Sequence, residues 1–235
     1  MVSGRGMALL HTSRDYETEL RELRAHTAAM GARCERSVRF ALDAFWEGAS
    51  KLSDARAIDA QIDRDQIDIH ALALRVLALR QPVADDLRFL AATLKLIIDL
   101  ERVGDEAVNI AERAAGGPCA AAPLVRTDLE AMAEEAQDML RDALRAFVEG
   151  DAARAERVLV RDDGVDAQCG AVITRMCDYI AKHQGDAAGG LRVVRVAKYL
   201  ERIADHATNL AEEVIFMVRG DDVRHGRVAD GTRAR

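Results

Sequence analysis

The sequence predicts an all-α protein made of two tandem, pseudo-symmetric three-helix bundles, and three observations carry that expectation. Alanine, arginine, aspartate and leucine are the commonest residues, while aromatics are 4 % and prolines number three in 235 residues. That mixture favours helix and starves strands of the β-branched and aromatic side chains they use. Apolar residues recur at helical spacing between glycine and proline stops. The pattern also occurs twice, about 100 residues apart.

Six helical stretches follow in order. The first starts near Ser13, a candidate N-cap, and runs to Phe45–Trp46, with Gly48 as its stop. The second runs from about Ser53 to Arg80, with Ile58, Ile62, Ile69, Leu72, Val76 and Leu79 on a helical stride. Pro82 is expected in the first turn of the third, which continues to Gly116-Gly117-Pro118. Thr127 and Glu130 form a capping-box pattern for the fourth, which ends at Gly150. Asp151 caps the fifth, which runs to about His183 and is weakened at Asp163-Gly164. The sixth follows the Gly185–Gly190 loop and ends at Val218, with Gly220 as its stop.

The repeat is gapless where it is strongest. Residues 100–112, LERVGDEAVNIAE, match residues 200–212, LERIADHATNLAE, at 8 of 13 positions with an offset of 100. Residues 37–48 match 139–150 at 7 of 12 positions with an offset of 102, and residues 59–63 align more weakly with 162–166. Similar offsets over three helices identify a duplicated unit. The expected organisation is a flexible leader over 1–12, units over 13–117 and 124–220, and a disordered polar tail over 221–235. Short connections favour antiparallel packing within each unit.

Several functional classes are disfavoured. A formal net charge of −7 gives no basic footprint for nucleic acid. No apolar run approaches the ~20 residues that span a bilayer, and the Met7–Leu10 stretch is too short for a signal peptide. Cys34, Cys119, Cys169 and Cys177 contain no CxxC pair and suit a reduced, cytoplasmic chain in which they pack as small apolar residues. Trp46 is expected to anchor the core between units, and Met132, Met139, Met176 and Met217 to pack within it. No phosphate-binding glycine loop, GxSxG elbow, HExxH or ExxH pattern occurs.

One constellation does suggest chemistry. At ~100° per residue, Glu101, Asp105, Asn109 and Glu112 fall within about 80° of one another on the third helix, at the margin of its apolar face. Glu201, Asp205, Asn209 and Glu212 repeat the stripe. In an antiparallel hairpin, residues equidistant from the turn share a level. Asp63 and Glu101 each lie 19 residues from Pro82, and Asp59 and Asp105 each lie 23 away. Asp166 with Glu201 and Asp162 with Asp205 share a midpoint at 183.5. Each unit therefore gathers four carboxylates, which repel unless they are protonated or share a cation. All-oxygen ligation suits magnesium, calcium, manganese or iron better than thiophilic metals. Asn109 and Asn209 supply further oxygen donors, and His206 is close in sequence. The simpler alternative is a solvated face paired with arginines such as Arg102 and Arg202.

Two stretches also resemble a known family. Gln81-Pro82-Val83-Ala84-Asp85-Asp86-Leu87-Arg88, followed by Asp99-Leu100-Glu101-Arg102-Val103-Gly104-Asp105, is similar to the central signature of the PhoU family, and residues 199–213 are similar to its second-half counterpart. The resemblance spans about residues 13–220, in the right order and duplicated. It implies two three-helix bundles without catalytic activity, acting in the cytoplasm as a negative regulator of phosphate uptake and phosphate-starvation signalling. The partners it implies are the cytoplasmic components of a phosphate ABC transporter and a phosphate-sensing histidine kinase, with a homodimer as the assembly. It also implies divalent or trivalent metal ions (iron, zinc, magnesium or manganese), often clustered, on E/DxxxD pairs. The matching pairs here are Glu101/Asp105 and Glu201/Asp205, faced by Asp59/Asp63 and Asp162/Asp166. The rival class is a carboxylate-bridged metal enzyme or a metal-storage bundle. Di-iron bundles characteristically add ExxH from two helices, which this chain lacks.

Overall fold

The computed structural model of the protein describes residues 4–47, 51–116 and 120–223. Among the described residues there are seven α-helices and no strand. They are α1 (Gly4–Glu47), α2 (Leu52–Arg80), α3 (Ala84–Glu112), α4 (Arg126–Glu149), α5 (Ala152–Leu159), α6 (Asp162–Lys182) and α7 (Ala187–Arg219). Helices α1 to α3 pack on one another as the first unit, and α4 to α7 as the second. The units meet along α3 and α7, with α1 also against α4. One buried apolar cluster runs through both units, from Leu23 and Met30 on α1 to Val214 and Ile215 on α7. Apolar burial of that kind supplies the main stabilisation, ~25 cal/mol per Å². At the α1–α4 contact, a methyl group on Gly31 would lie 2.4 Å from Leu144 Cδ1, so a larger residue there requires Leu144 to move.

The helix ends depart from expectation in instructive ways. Helix α1 reaches back to Gly4, so Ser13 lies inside a helix instead of capping one, and its expected stop at Gly48 lies outside the described residues. Pro82 is not in the first turn of α3. Gln81 closes α2 in the left-handed region (φ 49°), Val83 is extended, and the helix begins at Ala84. Asp85 and Asp86 then place negative charge on the first turn, where the helix dipole favours it. The Thr127/Glu130 capping box does not form. Helix α4 starts at Arg126, directly after a 3₁₀ turn over Ala122–Val125, and Arg126 Nε donates to Glu130 Oε1 at 2.7 Å. Glu130 is thereby committed to an i, i+4 pair.

The expected fifth helix is two helices. Asp151 does cap α5, accepting the Arg154 backbone N–H at 2.9 Å, but the chain bends at Val160–Arg161 before α6 begins at Asp162. Arg161 secures the joint, donating to Glu135 Oε1 at 2.6 Å and to Asp142 Oδ2 at 3.0 Å on α4. The Gly185–Gly190 loop is also shorter than expected: α7 starts at Ala187 and buries Gly189 and Gly190 in its first turns. A methyl on Gly190 would lie 2.6 Å from Ile180 Cγ1. Gly150 and Gly220 end α4 and α7 in the left-handed conformation, as their positions predict.

Candidate functional site

The α2–α3 hairpin brings Asp59, Asp63, Glu101 and Asp105 to one face. Burial raises the Asp59 carboxyl to about 6, and the nearby Asp63, Asp105 and Glu101 add to the shift. Glu101 is raised by burial and then by Asp105 and Asp63, and Asp105 by burial and then by Asp63 and Glu106. Each carboxylate thus opposes the ionisation of its neighbours, as equal height in the hairpin requires. Gly104 leaves room for Asp59 in its present rotamer, since a methyl there would lie 2.9 Å from Asp59 Oδ1. That oxygen is buried without a hydrogen-bond partner. Among the described residues, no lysine, arginine or histidine pairs within 4.0 Å with any of the four.

The second unit repeats the assembly. Burial raises Asp162 and Asp205, and Asp166 and Glu201 act on both in the same direction. Here the charge is partly answered. Thr208 Oγ1 donates to Asp162 Oδ1 at 3.2 Å, and the Lys198 ammonium contacts Glu201 Oε2. The buried Cys169 faces the same group: burial raises its thiol, with Glu201, Asp166 and Asp205 adding to the effect. A shallow cleft of about 530 Å³ over this side of α7 includes Asp162, Arg202, Asp205 and Thr208 in its lining.

Asn109 and Asn209 turn elsewhere. Asn109 Nδ2 donates to Glu106 Oε2 and Asn209 Nδ2 to Asp99 Oδ1, both at 3.2 Å. His206 Nδ1 also lies 2.9 Å from Asp99 Oδ1, and Arg202 Nη1 donates to the buried Glu106 at 3.2 Å. With Lys95 donating to Glu213 Oε1 at 2.9 Å, these contacts form a polar seam between α3 and α7. Asp99, Glu106, Lys95 and Glu213 lie outside the site that the sequence predicts. A signal was present: Lys95, Asp99, Arg102 and Glu106 follow one heptad stripe, and at three of the four the residue 100 positions later differs. Trp46 does lie between units, partly buried, with the Arg126 guanidinium 5.0 Å from its ring centre.

Among the described residues, no three carboxylate, imidazole or thiol groups converge closely enough to hold an ion as they stand. The donor set nevertheless fits a hard cation in charge and ligand type. It offers eight carboxylates in two groups, one with an orphaned buried oxygen and mutual repulsion that a cation would relieve. The side chains would have to turn toward the ion.

Comparison with known proteins covers nearly the whole chain. A family model described as the PhoU domain matches twice, over residues 27–114 and 129–214. A Pseudomonas putida protein named phosphate-specific transport system accessory protein PhoU homolog is 38 % identical over 218 residues, covering 92 % of this chain and 85 % of that one. A Caulobacter vibrioides protein of the same name is 36 % identical over 222 residues, 92 % of this chain and 95 % of its own. The crystal structure of PhoU from Pseudomonas aeruginosa superposes with a TM-score of 0.81 at 34 % identity, covering 88 % of this chain and all of that one. The phosphate transport system regulatory protein PhoU from Streptococcus pneumoniae gives 0.79 at 25 % identity, covering 88 % and 99 %.

Proposed function

This chain belongs to the PhoU family, and we propose from that membership that it is an accessory regulator of a phosphate-specific transport system, working through protein contacts without catalysis. The observation that carries the reading is the match to the family over both units, on a scaffold of seven described helices, none long and apolar enough to cross a membrane. Long helices give partner helices extended faces on which to dock. The partners are the transporter's cytoplasmic components and a phosphate-sensing histidine kinase, which the protein holds in its non-signalling state when phosphate is plentiful. An adaptor shifts a kinase only by binding its states with different affinities, so the contact must change with the transporter's state.

The two carboxylate groups are divalent-cation sites in this reading. Asp59, Asp63, Glu101 and Asp105 would hold one ion or cluster and Asp162, Asp166, Glu201 and Asp205 another. A cation bound there would neutralise the charge between paired helices and fix their spacing. The orphaned oxygen of Asp59 offers the ion a free donor, and the absence of ExxH from the sequence favours this role over a di-metal enzyme.

Deletion of the gene tests the assignment. Phosphate-starvation genes should become constitutive in high phosphate, and a Glu201→Ala/Asp205→Ala variant should reproduce part of that loss. A deletion strain that represses those genes normally overturns the proposal.

A further inference from the structure

The two carboxylate groups differ in the neighbours that answer their charge. In the second unit Lys198 lies one helical turn before Glu201, and its ammonium contacts Glu201 Oε2. Cys169 and Asp205 also act on that ammonium, which places it near both. One hundred residues earlier the same place on α3 is Ile98, an exposed apolar side chain that brings no charge. Arginine occupies both 102 and 202, so it does not distinguish the units. The second unit also satisfies Asp162 with the Thr208 hydroxyl, whereas Asp59 Oδ1 in the first is left without a partner.

We propose that Lys198 is a resident counter-ion that competes with metal at the second carboxylate group, so that the two units load in sequence, the first at low metal concentration and the second only when the ammonium is displaced. This rests on the cation-binding reading above and adds an order of filling to it. An i, i+3 pair with a half-exposed ammonium contributes little to stability, so the contact is a minor prop for the fold. Its effect on a divalent ion is larger, because a cation entering among the carboxylates meets the lysine charge at a few ångströms. Glu201 must also release its present partner before it can turn toward the ion.

The test is a Mn²⁺ titration of the chelator-stripped full-length protein, followed by calorimetry and by loss of the free-ion electron paramagnetic resonance signal. The wild type should show two classes of site separated by at least about tenfold in affinity. Glu101→Ala/Asp105→Ala should remove the tight class and so assign it to the first unit. Lys198→Ile should tighten the weak class by about tenfold, and Ile98→Lys should weaken the tight class comparably. Circular dichroism should show both variants folded. Equal sites in the wild type, or two classes unmoved by Lys198→Ile, overturn the role of Lys198 while leaving cation binding intact. No Mn²⁺ binding by any of the proteins removes the cation reading itself, and this inference with it.

Discussion

The two hairpins that carry the carboxylates began as the same piece of sequence and now hold their charge differently. In the first, α2 runs unbroken for 29 residues and Asp59 is pressed against Gly104 without a hydrogen-bond partner for its inner oxygen. In the second, the equivalent helix is divided into α5 and α6, position 204 is alanine, and Thr208 and Lys198 answer part of the charge. Without an ion, the first group leaves its repulsion unanswered and the second answers part of it with its own side chains. Duplication preserved where the carboxylates stand and left their neighbours free to change the energy of having them there.

The largest effect should test whether the units share one stability. Leu100 and Leu200 are equivalent, fully buried and on the two seam helices. Truncating either to alanine should cost about 3 kcal/mol, read from urea denaturation. Because the core is continuous, each variant should still unfold in one transition. Two separated transitions would show that the units are energetically independent.

A smaller effect separates the two electrostatic states. The Asp59 carboxyl is raised to about 6, against ~3.9 when unfolded. The stability cost of ionising it is therefore absent below the unfolded value and accumulates as pH rises through the folded one. Asp59→Asn should melt about 2–4 °C above wild type at pH 7 without metal, equivalent to about 1 kcal/mol after discounting for solvent screening. That gain should vanish near pH 4. Asp162→Asn should gain less, because the Thr208 hydroxyl already favours the ionised form of Asp162. Equal gains at the two positions would erase the contrast between the units.

The smallest effect concerns the divided helix. Gly164 sits in the first turn of α6 with open space where a side chain would go. Gly164→Ala should stabilise the protein by about 0.5–1 kcal/mol and leave metal binding unchanged, as thermal melts with and without Mn²⁺ would show. A change in metal response would mean that the start of α6 is tuned for the site.

The helical plan, the duplication and the level pairing of Asp63 with Glu101 and Asp59 with Asp105 were all legible in the sequence. Level pairing works because both arms of a hairpin rise uniformly, at ~1.5 Å per residue. What escaped depended on contacts between distant segments. The bend at Val160–Arg161 is held by Glu135 and Asp142 from another helix, and Gly164, the residue that seemed weakest, lies beyond it inside α6. The capping box at Thr127 does not form because the helix already begins at Arg126, which puts Thr127 inside it. Asn109 and Asn209 lie on the carboxylate stripe in a helical projection, but Glu106 and Asp99 draw their amides toward the seam.

The seam also records that the duplication can no longer be undone. A symmetric interface joins a surface to itself, so each contact recurs with its partners exchanged. The contacts between α3 and α7 do not obey that rule. Lys95 meets Glu213, but residues 195 and 113, which would form the exchanged contact, are both arginine. Asp99 meets His206, yet two copies of the first unit docked in the same way would set Asp99 against Glu106 and Lys95 against Arg113. Two of the four polar contacts across the seam would turn repulsive. Each half has become a lock cut for the other's key, and a severed first half that paired in this way with a copy of itself would meet like charges at those two places.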